Sequence, residues 1–272
     1  MTAGEFVQYA RPPVRSTVLR VYFEPIQSFD IGLALSLNSE WGGDYPVLRQ
    51  STAKPRPSVP NLPDVDPPFA GGNWWAMSSI EQTDESLQKA LAYQFDQIAL
   101  SWTFDADKPE GQYPGFETLS AEFDDRLAQF SAVFDQTDSD FEVQGCECVY
   151  TNLLEGVRGA SWVSGYVTGW NDSSTIRESQ PGTAFIGFNT RNETTHDEGD
   201  TIAYVRLRDD LKSQEAELII RVIATPQMDS QEGIQSANRA SELMRLAHRE
   251  LIRNFELCAS PKMKEEWGKV KR

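Results

Sequence analysis

The sequence predicts an α+β protein, an antiparallel sheet covered by long amphipathic helices. Three observations predict it. In residues 116–134, Phe116, Leu119, Phe123, Leu127, Phe130 and Phe134 recur at steps of three and four, which makes one apolar stripe on a helix. A second stripe, Ala240, Leu243, Ala247, Leu251 and Phe255, lies within 232–257. Between and before these helices, 17–23 (TVLRVYF) and 215–224 (EAELIIRVIA) are rich in β-branched and aromatic side chains, as strands are.

Taken in order, the strand at 17–23 is ended by Pro25, and Asp30 is placed to cap a helix over Ile31–Trp41 with Ile31, Leu35 and Leu37 facing inward. Gly42-Gly43 stops that helix. Residues 51–72 hold six prolines, and their lost donors and fixed φ predict an extended arm. Asn73–Met77 opens a second strand containing the adjacent Trp74 and Trp75, whose side chains point to opposite faces. One long strand is expected over 88–104. The Phe-rich helix follows, with Glu117, Glu122, Asp124, Asp125 and Gln129 on its polar side. Phe141–Tyr150 reads as another strand, whereas 153–170 is interrupted by four glycines. A hairpin is expected from 183–190 and 201–208 around Glu198-Gly199-Asp200. Pro226 ends the strand at 215–224, Ser230 or Ser236 starts the last long helix, and Ser260-Pro261 starts a short one ending near Trp267. This order allows two related halves, 1–140 (strand, helix, strands, helix) and 141–272 (strands, helix), packed as one compact unit.

The totals exclude several function classes. The chain has 272 residues and a net charge of −16, which disfavours direct nucleic-acid binding because phosphates require a basic face. Acid is concentrated at 105–142, with 11 acidic and 2 basic residues, while 262–272 is basic. No apolar run approaches the roughly 18 residues of a membrane span, and the first residues lack the pattern of an export signal. Three cysteines, an odd number, point to a reducing compartment and a cytoplasmic location.

Motifs for catalysis are missing. There are two histidines, His196 in a hairpin tip and His248 beside an apolar stripe, and neither accompanies a nucleophile elbow. Cys146, Cys148 and Cys258 lack zinc-ligand spacing. The run from Asp138 opens like a calcium loop but has Val143 and Val149 where Gly and the bidentate Glu belong. No catalytic residue, metal ligand or cofactor is therefore expected. The candidate partner-binding residues are Trp74, Trp75, Glu117, Asp124 and Asp125, as aromatic anchors within an acidic rim.

Several short segments occur together: Arg11-Pro12-Pro13 before a strand ending Phe23-Glu24-Pro25, then Asp44-Tyr45-Pro46, Trp102, Tyr113-Pro114-Gly115-Phe116, Tyr150-Thr151-Asn152, and Ala247-His248 through Phe255 to Trp267. In order and spacing the chain resembles a sporadically distributed, functionally uncharacterised bacterial protein family of similar length, outside 51–72 and 156–182. That resemblance implies no catalytic set. Its patchy occurrence implies an antitoxin-like or anti-phage role, and His248 falls in the family's terminal-helix motif.

The first functional expectation is thus a cytoplasmic, non-enzymatic protein that engages a protein partner through its acidic surface. The second is a small-ligand or nucleotide-binding α+β protein, with carboxylates as catalysts if it is an enzyme, recognisable by a deep aromatic pocket holding Trp74, Trp75 or Trp102. The third is a self-assembling structural component, a homo-oligomer bridged by the Pro-rich arm and basic tail.

Overall fold

The computed structural model describes residues 8–26, 29, 31–64, 79–105, 107, 112–135, 141–155, 185–210, 215–227, 236–259, 264–265 and 267–270. Eleven strands and three long helices are found among them: β1 (Gln8–Tyr9), β2 (Val14–Phe23), α1 (Ile31–Trp41), β3 (Val47–Ser51), β4 (Ser79–Thr83), β5 (Lys89–Gln94) and β6 (Gln97–Thr103) in the first part of the chain. They are followed by α2 (Phe116–Asp135), β7 (Val143–Glu155), β8 (Phe185–His196), β9 (Gly199–Asp210), β10 (Glu215–Thr225), α3 (Ser236–Cys258) and β11 (Lys269–Val270).

Nine of the strands form one antiparallel sheet in the order β3-β4-β5-β6-β2-β7-β10-β9-β8, and β1 pairs with β11 in a separate ribbon. This corrects the expected layout of helix-covered related halves. The molecule is built mainly of one continuous sheet, crossing from its first part to its second at the β2–β7 pair. The physical reason is dimensional. Nine strands spaced about 4.8 Å apart span roughly 40 Å, and a helix with its side chains is about 10 Å wide. Among the described residues, the three helices accordingly pack on one face and none covers the other.

Strand alternation separates the two faces. Leu19, Val21 and Phe23 of β2 join Leu218, Ile220 and Val222 of β10 in the main core, against Phe123 and Phe130 of α2 and Leu243 and Leu251 of α3. Tyr22, between two core residues, points to the other face with Ile202, Ile223, Val59 and Leu62. The Pro-rich arm, described to residue 64, lies there. Arg56 holds it in place: Nε donates to Asp96 Oδ2 at 2.9 Å, Nη1 to Gln144 Oε1 at 2.6 Å and Nη2 to the Phe23 carbonyl.

Several local expectations are met. The helices at 31–41 and 116–134, the strand at 215–224, the strand around 17–23 and the hairpin before residue 210 are all present. Others are corrected. The segment 88–104 is a hairpin, because Phe95-Asp96 makes a two-residue turn where no Gly, Pro or Asn announces one; the buried Asp96 carboxylate is answered by Gln94 and Arg56. In α1, Leu37 is buried as expected, but Leu35 is 58 % exposed, and Leu33 and Ala34 face the core in its place. The polar side of α2 is largely engaged with neighbouring elements. Glu122 accepts bonds from Tyr45 and Lys89, Gln129 from Trp41, and Asp124 from Ser241. The strand expected at 73–77 lies outside the described residues, as does most of the glycine-rich stretch after 155.

Candidate functional site

The N-terminal end of β2 and the C-terminal end of β7 are neighbours in the sheet, paired Val14 to Asn152. The β2–β7 register shifts between Val14 and Ser16, which makes Arg15 the extra residue of a β-bulge. A bulge bends the strand and re-aims the side chain it carries. Here the Arg15 guanidinium lies over the Phe104 ring, 4.3 Å from its centroid, just beyond the end of β6.

The start of α2 faces the same place. Gly115 has φ +90°, a left-handed conformation that an L side chain rarely adopts, and it turns the extended Tyr113-Pro114 segment into the helix. Tyr113 packs against Trp102 on one side, with centroids 5.4 Å apart, and against Tyr150 of β7 on the other. The two tyrosine hydroxyls are 2.5 Å apart. Phe116, the first helical residue, stacks flat on His248 of α3.

The ribbon of β1 and β11 closes one side. Its backbone bonds continue past the strands, from Ala10 N to Gly268 O at 3.1 Å and from Arg11 N to Trp267 O at 3.0 Å. Tyr9 donates its hydroxyl to Glu256 near the end of α3, and its ring meets Phe255 and Trp267 edge-on.

Together these elements enclose a cleft of about 790 Å³. Its aromatic walls come from Tyr9, Phe104, Tyr113, Tyr150, Phe255 and Trp267, completed by the Phe116–His248 stack. Arg11, Arg15 and Glu117 are the carboxylate and guanidinium side chains among its described lining residues.

Two buried polar atoms at this cleft have no protein partner. The Asn152 side-chain amide donates from Nδ2 to the Leu218 carbonyl at 3.1 Å, which leaves Oδ1 facing away and unsatisfied. His248 Nδ1 is likewise unpartnered. Burial lowers the His248 pKa to about 3, so the imidazole is neutral at physiological pH. Burial also raises both Tyr113 and Tyr150 well above the ordinary phenol range, keeping them protonated. Groups tuned this far from neutrality hold and orient well but exchange protons poorly.

Of the described sequence-derived site residues, all on α2, only Glu117 lines the cleft. Glu117 lines the mouth of the cleft, Asp125 is exposed further along α2, and Asp124 is tied to Ser241 of α3 at 2.9 Å. Trp74 and Trp75 lie outside the described residues. Trp102 backs Tyr113 without lining the cleft. Conversely, Tyr9, Phe104, Tyr113, Tyr150, Asn152 and Trp267 were not singled out as site residues. The available signal was their place in short sequence segments noted together, since Arg11-Pro12-Pro13, Tyr113-Pro114-Gly115-Phe116, Tyr150, Asn152, His248, Phe255 and Trp267 all line this cleft.

Among the described residues, no group of three or more His, Cys, Asp or Glu side chains is arranged to hold a metal ion. No helix among them is long and apolar enough to cross a membrane. No family model, curated protein or solved structure matches the chain.

Proposed function

We propose that this protein binds a small aromatic molecule in the cleft between the α2 N-terminus, the β2–β7 end of the sheet and the β1–β11 ribbon. One observation carries this reading: a cleft of about 790 Å³, within the range of small-molecule sites, walled by aromatic rings from separate segments of the chain. The lining is aromatic, but its described tryptophan is Trp267; Trp102, named in the ligand-binding expectation, does not line it, and Trp74 and Trp75 lie outside the described residues.

The reading is of binding rather than catalysis. A general acid or base works best with a pKa near the operating pH. The neutral His248 and the protonated Tyr113 and Tyr150 are far from it, and each instead offers a flat face or a fixed polar edge. A cytoplasmic location belongs to the same reading, supported by three buried cysteines, none of them in a disulfide among the described residues.

The test is a screen of small aromatic fragments against the ¹³C-methyl spectrum of the protein. Binding should shift Ile252 and Leu154, which line the cleft, and Tyr113→Ala should abolish the shifts. Fragments that move only methyls elsewhere, or none, overturn the reading.

A second reading keeps a protein partner at the acidic surface and rests on Glu117 and Asp125, both exposed on α2. Elution from a host extract in a larger complex that salt dissolves would favour it. Elution as the free chain would count against it.

A further inference from the structure

Given the cleft as the binding site, its unanswered polar atoms specify the ligand further. Strand alternation puts Asn152 on the same face of β7 as Tyr150 and Leu154, both core residues. Asn152 lines the cleft, yet it is only 1 % exposed. Its amide has one favourable orientation. Nδ2 donates to the Leu218 carbonyl on β10 at 3.1 Å, and turning the amide over would set two acceptor oxygens against each other. Oδ1 is therefore the acceptor left over, and no protein donor reaches it. Buried polar side-chain atoms are normally paired, so this one calls for a partner.

The neighbouring strand is irregular at the same place. Arg15, the bulge residue of β2, falls between Val14, which pairs with Asn152, and Ser16, which pairs with Thr151. A bulge interrupts the ladder and bends its strand, and here it does so next to Asn152. His248 Nδ1 is a second buried atom without a partner among the lining residues. The hydroxyls of Tyr113 and Tyr150, by contrast, answer each other. What Asn152 lacks is a donor, and the rings around it favour a flat molecule to carry one.

We infer that the ligand is an aromatic molecule bearing an O–H or ring N–H, which it donates to Asn152 Oδ1 while its ring lies among those of Tyr113, Tyr150 and His248. A site with a buried acceptor rejects a look-alike that lacks the donor, because the acceptor then stays unpaired in the complex.

The experiment is methyl NMR titration of the full chain with two matched pairs, naphthol with methoxynaphthalene and indole with benzofuran. In at least one pair the donor should bind about tenfold more tightly than its blocked counterpart, and which pair does so tells O–H from N–H. Asn152→Leu keeps the side chain's approximate volume and removes Oδ1. It should narrow that gap to less than about threefold and leave the affinity for the blocked member almost unchanged. If Asn152→Leu does not fold by circular dichroism, the Asn152 side-chain amide resonances of the unaltered protein decide instead: the donor should move them and the blocked member should not.

If the members of both pairs bind alike, or the gap survives Asn152→Leu, or the amide resonances respond equally to both members, the donor class is overturned and the aromatic cleft stands. If none of the four binds, the cleft reading falls with it.

Discussion

His248 and Phe116 lie face to face, ring centroids 3.6 Å apart and planes within 1° of parallel, which joins the first residue of α2 to the middle of α3. The imidazole in this stack is 7 % exposed and has no partner for Nδ1. Protonating it would place an unanswered charge against a hydrocarbon ring.

That gives a pH dependence of definite sign. The folded-state pKa of about 3 lies below the ordinary 6.5, because burial disfavours the charged form. Between those values the unfolded chain binds the proton and the native protein does not, so stability falls as pH drops through this window and the His248 contribution levels off below 3. The slope from this residue should be about 1.4 kcal/mol per pH unit. Urea unfolding of the unaltered protein and of His248→Phe across the window checks it. The difference between the two should carry the slope, and parallel curves would refute it.

Tyr150→Phe removes one end of the Tyr113–Tyr150 hydroxyl contact and leaves the ring in place. The expected cost is about 1 kcal/mol, the net worth of one hydrogen bond. Fragment affinity at the cleft should change little, since the wall keeps its shape. A comparison of unfolding midpoints and fragment titrations measures both quantities.

Gly115→Ala forces a Cβ into a left-handed backbone at φ +90°. No heavy atom lies within 4 Å of the added carbon, so the penalty is conformational rather than a clash. It should amount to about 1–2 kcal/mol. Because Gly115 sets the angle between Tyr113 and Phe116, methyl shifts at Ile252 on fragment binding should also weaken. A change in stability with unaltered binding would separate the turn from the site.

Arg56→Ala should cost about 3–5 kcal/mol, because it leaves the Asp96 carboxylate buried without its cation. Both side chains of this pair are 3 % exposed. Adding Asp96→Asn to that variant should recover part of the loss, and a double-mutant cycle by urea unfolding reads the coupling. Release of the Pro-rich arm should also make residues 52–64 sensitive to protease.

Much of the local structure was legible in the sequence. The recurrence from Phe116 to Phe130 located α2 to within a residue, and the β-branched runs located β2 and β10, because one-sided burial writes its period directly into the chain. The β5–β6 hairpin was not legible. Its turn at Phe95-Asp96 has Asp96 as its one turn-favouring residue, and the buried carboxylate is held by Arg56 from a segment 40 residues away. The side of α1 that faces inward was likewise decided by packing against Tyr93 and not by its weak periodicity.

The sequence by itself determined the helices α1, α2 and α3, the strands β2 and β10, the acidic balance and the lack of local catalytic motifs, since these depend on neighbours along the chain. Only the tertiary structure decided that nine strands join in one sheet and that Tyr9, Arg15, Tyr113, Tyr150, His248 and Trp267 share a cleft. Those residues are brought together by the β2–β7 register, the bulge at Arg15 and the β1–β11 ribbon. Pairings between strands so distant along the chain leave no period in the sequence from which they could be read.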